Sequence, residues 1–193
     1  GFHGSGEKFD RFSLEYGGKV TEAESAKVAF FFTDGLTTAR SYAQKAAVFS
    51  EDKEIADILK KIERAEKVGN WDLAEELMAK AEDLEYGDGA ADRRARMEKE
   101  NAVVYDVFLK GKFLTLDAGG RSYLTLSESD DFKPFKGKLT KALEHARAKG
   151  FEGVEVLNFD DAINTSENAT HWAVFTPSQI KSADPITYDE SGN

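Results

Sequence analysis

The chain of 193 residues contains no cysteine. That absence removes disulfide frameworks, thiolate zinc sites, iron–sulfur clusters and cysteine nucleophiles together. Histidine and proline are scarce, at three residues each. The histidines form no i, i+4 pair, and the acidic clusters lack the Asp/Asn–Gly loop of a calcium hand, so no metal site is expected. Positive charge is also short: 26 Lys and Arg stand against 36 Asp and Glu, for a net charge of −10. Attraction to a phosphate backbone is therefore not a general mode of binding, and nucleic acid is not an expected partner. No stretch approaches the roughly eighteen apolar residues of a membrane span. The glycine pairs Gly17-Gly18 and Gly119-Gly120 lack the Lys-Ser/Thr that would complete a P-loop. The expectation is a soluble chain acting in the cytoplasm, with no membrane partner.

Charge is concentrated at residues 51–100, where 16 acidic and 10 basic residues make up 26 of 50 positions. Within this block Ile55, Ile58, Leu59, Ile62, Ala65 and Val68 recur at three and four, the stripe of an amphipathic helix. Ser50 reads as its N-cap, with Glu51 and Asp52 facing the positive end of the helix dipole. Gly69-Asn70 reads as a stop. Trp71, Ala74, Leu77, Met78, Ala81 and Leu84 then repeat the spacing as far as Gly87-Asp88-Gly89, which predicts a helical hairpin over 51–89. A third helix is expected through Arg93 to Glu98. The block reads as a solvated insertion, and the hairpin is the natural place for partner contact.

The flanks read as strands: an extended Phe2-His3-Gly4, Val28 to Thr33 and Val103 to Leu109. Phe113 to Leu116 and Tyr123 to Leu126 suggest a hairpin around Asp117-Ala118-Gly119-Gly120. Leu139 to Lys149 reads as a helix closed by Gly150, followed by strands at Gly153 to Asn158 and His171 to Thr176. No regular crossover rhythm is present, so the class is α+β. The polar tail Ser182 to Asn193 is expected to end the domain.

Three elements can carry chemistry. His3-Gly4-Ser5 pairs a ring nitrogen suited to a sugar hydroxyl with a glycine that admits close approach to the main chain. Phe31-Phe32-Thr33-Asp34 leads through a turn into a helix that carries Tyr42 on its second turn. Thr170 to Thr176 is a strand whose alternation puts Trp172 and Val174 on one face and His171, Ala173 and Phe175 on the other.

In this order the three elements resemble the ADP-ribosyltransferase superfamily, in the branch of diphtheria toxin and the poly(ADP-ribose) polymerases. The resemblance is closest to the transferase-like domains of bacterial and phage polyvalent proteins. It extends over His3-Gly4-Ser5 with Phe9 and Phe12, the Phe31 to Tyr42 segment, Val104-Tyr105-Asp106-Val107, Lys149 to Val154 and Val174 to Lys181. It implies an α+β split β-sandwich, a single domain over 1–193 with a helical insertion at about 51–100. It implies an enzyme with NAD as substrate, moving one ADP-ribose to a protein or other macromolecular acceptor with release of nicotinamide. On the same resemblance His3 bonds the ribose hydroxyls, Gly4 pairs through its backbone with the nicotinamide carboxamide, and Tyr42 stacks on the nicotinamide. Phe31 falls where the family has a second tyrosine, and Ser5 and Phe32 complete the NAD-binding set.

The catalytic set implied is His3, Tyr42 and His171, the last standing where the family has a glutamate. A neutral imidazole supplies no negative charge to a developing ribosyl cation, so Glu155, Asp161 and Glu167 are candidates for a carboxylate from nearby. Ala39 replaces the serine that chain-elongating polymerases carry three residues before the tyrosine. Mono-ADP-ribosylation is therefore expected rather than polymer synthesis. Two alternatives remain open: a catalytically weak or inactive binding module on the same fold, and an RNA-processing enzyme using His3, His145 and His171. The first motif stands at residue 3, so the chain is expected to be part of a longer phage or secreted polypeptide, delivered as a toxin or effector. Residues 15–27 and the hairpin are the expected acceptor contacts.

Overall fold

Apolar runs too short for helices pair into a sheet. In the computed structural model, which describes residues 1–17, 23–160 and 168–183, the strands are β1 (Phe2–Ser5), β2 (Phe30–Thr33), β3 (Val103–Leu109), β4 (Phe113–Asp117), β5 (Gly153–Asp160), β6 (Asn168–Val174) and β7 (Ile180–Ser182). Their order is β4-β5-β6-β2-β1-β3-β7, with β4 and β5 parallel and the other neighbours antiparallel. The fold is α+β, as expected.

The sheet is split at its centre. β1 pairs with β3 from Phe2↔Asp106 to Ser5↔Val103, and β2 pairs with β6 from Phe30↔Val174 to Thr33↔His171. Between β1 and β2 the register contains Phe2↔Thr33 alone. The halves β4-β5-β6-β2 and β1-β3-β7 therefore meet at one residue pair and diverge beyond it.

Each face of the sheet carries a core. On one, Leu139, Ala142, Leu143 and Ala146 of α4 (Leu139–Ala148) pack with Phe132 against Val154, Val156 and Ala173. Gly150, at φ 76°, ends this helix where the sequence predicts. On the other face Phe30, Phe32, Val107 and Val174 gather Phe12, Trp172 and Ile180. Phe32 and Phe132 are fully enclosed, each contributing about 2–3 kcal/mol of apolar burial. The predicted division of β6 holds, since Trp172 and Val174 join one core and Ala173 and Phe175 the other.

The helical block departs from expectation at its start. α1 runs unbroken from Leu36 to Lys67, capped by Gly35, so position 50 lies inside a helix rather than at its N-cap. No glycine or proline interrupts those residues, and Ala39, Ala43, Ala47, Val48 and Ile55 continue one buried stripe through the supposed boundary. Glu51, read as a dipole-facing carboxylate, is instead 6 % exposed and ion-paired to Arg93 at 2.9 Å and Arg94 at 3.5 Å. Arg93 also donates to the carbonyl of Leu84 at 2.7 Å, so one guanidinium ties α3 (Ala90–Asn101) to α1 and α2 (Trp71–Tyr86). The third helix is thus longer than Arg93 to Glu98. Ile58, Ile62, Ala65, Ala74 and Ala81 form the buried seam of the hairpin, but Leu59, Val68, Trp71 and Met78 lie outside it and are exposed.

The hairpin expected around Asp117 to Gly120 does not form. β4 pairs in parallel with β5 from Phe113↔Gly153 to Asp117↔Leu157, and Tyr123 to Leu126 leads into a short 3-10 turn at Leu126–Glu128. Gly119 and Gly120, both at positive φ, turn the chain away from β4 rather than back along it. The last strands are shifted by a few residues from their predicted bounds, with β6 starting at Asn168. Gly18 and the tail from residue 184 fall outside the described residues.

Candidate functional site

The opening of the split is decided by hydrogen-bond alternation. Gly1 and Val107 exchange both backbone bonds, at 2.7 and 2.8 Å, so Gly1, His3 and Ser5 direct their N–H and C=O groups toward β3. Phe2 and Gly4 direct theirs toward β2. On the facing strand Asp34 donates to Thr170 of β6 at 3.1 Å. By the same alternation Phe30 and Phe32 bond β6, while Phe31 and Thr33 face β1. Phe2 and Thr33 meet, and the next pair in register would be Gly4 with Phe31. Pairing stops before it.

His3 takes the place of that missing bond. Its Nδ1 lies 2.8 Å from the carbonyl oxygen of Phe31. A carbonyl only accepts, so Nδ1 carries the proton and Nε2 presents a lone pair. The ring is packed edge-on by Phe12 at 5.1 Å and tilted against Phe32 at 5.5 Å, with Phe9 at 6.1 Å. Desolvation by this surround holds the imidazole below its ordinary value of 6.5, with the bond to Phe31 acting in the opposite sense. The ring is neutral at pH 7.

Gly4 is a glycine for a packing reason. A Cβ there would collide with the carbonyl of Ala39 and the nitrogen of Ala43, and one at Gly6 with the main chain at Ala46 and Ala47. α1 thus lies directly on β1, and Tyr42 is carried by the same turns that touch Gly4. The sequence suggests instead that Gly4 admits a ligand close to the main chain. Helix fills that space, so any approach to Gly4 is confined to its N–H and C=O edge.

A cavity of about 1470 Å³ occupies the split, and His3, Gly4, Ser5, Phe31, Phe32, Tyr42 and His171 all line it. Its contributors stand on both faces of the sheet. Register puts Phe2, Thr33 and His171 on one face, and His3, one residue along, on the other. The Ser5 hydroxyl shapes the turn after β1, donating to the carbonyl of Glu7 at 2.8 Å. His171 is 6 % exposed, lies edge-on to Phe159 at 5.3 Å and reaches Thr33 Oγ1 at 3.5 Å. Thr33 Oγ1 in turn accepts from the Gly35 amide at 3.0 Å.

Of the carboxylate candidates, the structure describes Glu155 alone, and it is held elsewhere. Glu155 accepts from Trp172 Nε1 and from the Thr115 hydroxyl, both at 2.9 Å, on the face away from His171. Asp161 and Glu167 fall outside the described residues. His145 sits on α4 against Phe135 and does not line the cavity, so the three histidines of the RNA-processing reading are not assembled.

A clamp on the segment after β1 has no local signature in the sequence. The hydroxyl of Tyr105 accepts from the Phe9 amide at 2.6 Å and donates to the Phe9 carbonyl at 3.2 Å, while the two rings stack at 4.3 Å. Phe9 and Phe12 are thereby held over His3 as one wall of the cavity. Nothing local announces this, because the partners are 96 residues apart.

The chain that builds this split α+β sheet, with His3, Gly4 and Tyr42 lining the cavity at its seam, is of the ADP-ribosyltransferase class. More particularly, a family model described as ADP-ribosyltransferase in polyvalent proteins matches residues 2–188, and the chain belongs to that family. No curated protein and no solved structure matches it.

Proposed function

We propose that the chain transfers a single ADP-ribose from NAD to a macromolecular acceptor. The observation that carries this reading is that Gly4 lines the cavity just beyond the last β1–β2 pair, where His3 has taken the carbonyl of Phe31. An N–H and a C=O side by side complement a carboxamide, which needs one donor and one acceptor. Tyr42 offers a ring for stacking on the pyridine, and Nε2 of His3 accepts from a ribose hydroxyl. Lys8 and Arg11 are the cavity-lining cations among the described residues and would meet the pyrophosphate. The bond from ribose C1′ to the nicotinamide nitrogen breaks with its electron pair going to the ring. The acceptor nucleophile then bonds C1′ and loses its proton. NAD titrated by calorimetry, and labelled NAD incubated with a cell lysate, test the proposal. Binding and labelling that vanish in His3→Ala and Tyr42→Ala are expected, and absence of both in the wild-type chain overturns it.

The second reading, NAD binding without turnover, is favoured by one feature. The position of the family glutamate holds a buried histidine, edge-on to Phe159, and a histidine there does not supply the carboxylate charge that would stabilise a ribosyl cation. NAD binding with no nicotinamide release over hours supports it.

A further inference from the structure

The hairpin presents two unlike sides. Its helices are antiparallel, and with about 100° per residue the seam residues define a common front from which every other position can be placed. Glu54 and Lys80 fall on the same flank by this construction, and they are indeed paired at 2.8 Å. On the opposite flank fall Leu59, Met78 and Trp71, exposed at 54, 43 and 65 %. Three large apolar side chains thus line one edge of the hairpin, and none of them lines the cavity. α3 is fastened at the base of this flank by Arg94 to Asp52 at 2.7 Å, beside residues 51–55 rather than 59–78.

The charges around the two flanks differ. Glu63, Glu66, Glu75, Glu82 and Glu85 surround the apolar edge, and the one lysine among them, Lys67, is paired to Glu63 at 2.6 Å. The Glu54–Lys80 flank carries Lys61 and Arg64 beside its acids and is mixed. An apolar strip bordered by one sign of charge selects its partner by complementarity, apolar side chains giving contact area and the border rejecting like charge. We infer that the Leu59–Trp71–Met78 edge is a docking surface for a basic amphipathic segment of a protein partner, with Lys or Arg flanking an apolar stripe. The acids disfavour an anionic membrane surface and a second copy of this acidic chain.

This inference does not depend on NAD, and neither does its test. A labelled 18-residue helical peptide of Leu and Lys is titrated with the chain by fluorescence anisotropy, beside a peptide with Glu replacing Lys. Expected are saturable binding of the first peptide alone and at least a tenfold loss in Trp71→Ala/Met78→Ala and in Glu66→Lys/Glu82→Lys. Val68→Ser/Leu73→Ser, away from this edge, leaves binding unchanged. All substituted side chains are exposed, and circular dichroism with thermal unfolding verifies folding of each variant. Equal binding by all variants means attraction to net charge alone and overturns the inference, as does no binding. A wild-type dimer in sedimentation that Trp71→Ala dissolves assigns the edge to self-association and also overturns it.

Discussion

The imidazole of His3 bonds the carbonyl of Phe31 at 2.8 Å, and in doing so stands in for the amide of Gly4, which the strand register would have placed there. One side chain thus satisfies the acceptor that the split exposes, and the proposed carboxamide contact is to the adjacent main chain of Gly4. His3→Ala removes the bond to Phe31. Loss of a hydrogen bond at a half-buried carbonyl costs about 1–2 kcal/mol, so denaturant unfolding is expected to show a modest deficit while NAD calorimetry shows no binding. Intact binding in this variant contradicts the site.

The pH dependence of stability follows from the same ring. Its folded pKa lies below 6.5, its usual unfolded value, so between the two the unfolded chain holds the additional proton. Stability then rises with pH in that window. This contribution is complete above pH 6.5, falls as pH drops toward the folded value, and levels off below it. Urea unfolding of wild type against His3→Gln from pH 5 to 8 is expected to show a difference that narrows as the solution is acidified. A constant difference refutes the assignment.

Gly4→Ala drives a Cβ into the α1 backbone at Ala39 and Ala43. Backbone cannot swing aside as a long side chain can, so the cost is expected to be at least about 2 kcal/mol. Ser5→Ala, one residue on, loses two exposed turn bonds, the hydroxyl's donation to the Glu7 carbonyl and its acceptance from the Glu7 amide. Thermal unfolding of the pair separates a packing requirement from a ligand requirement, since Gly4→Ala is destabilised with no NAD present.

Tyr105→Phe keeps the stack on Phe9 and deletes the hydroxyl that both accepts from and donates to its backbone. Hydrogen exchange at the Phe9 amide is expected to accelerate about tenfold, the equivalent of about 1.4 kcal/mol of lost protection. NAD affinity falls while the global unfolding midpoint moves little. Unchanged exchange at Phe9 removes Tyr105 from the wall of the cavity.

His171→Glu returns a carboxylate to the position where the family carries one. Its burial beside Phe159 and Val156 lowers the melting temperature by several degrees, as a poorly solvated charge requires. If the histidine limits turnover, nicotinamide release rises at least tenfold over wild type. A variant that binds NAD yet releases no more than wild type shows that the histidine at position 171 is not the limit.

The helices α2 and α4, the strands β1, β3 and β5 and the order of the motifs were legible in the sequence, because periodicity and glycine stops act over a few residues. The start of α1 was not. Ser50-Glu51-Asp52 imitates a cap, and only the buried stripe from Ala39 through Ile55 with the pairing of Glu51 to Arg93 shows the helix passing through. The expected hairpin at Asp117 failed for a related reason: an apolar run does not say whether its partner is the next strand or one 40 residues later, and β4 found β5. Trp71 looked like core by spacing, yet the seam is closed by alanines and isoleucines that let the helices approach.

The amino-acid sequence by itself determined that His3, Gly4, Tyr42 and His171 exist in the order of an ADP-ribosyltransferase, without cysteine or a basic surface, on an α+β chain. The tertiary structure decided that β1 and β2 part after one pair, that His3 covers Phe31 while Gly4 faces the opening, and that Glu155 is bound elsewhere. Which edge of a strand is free depends on where its pairing ends, and that is fixed by contacts between segments too distant in the chain for any local pattern to record.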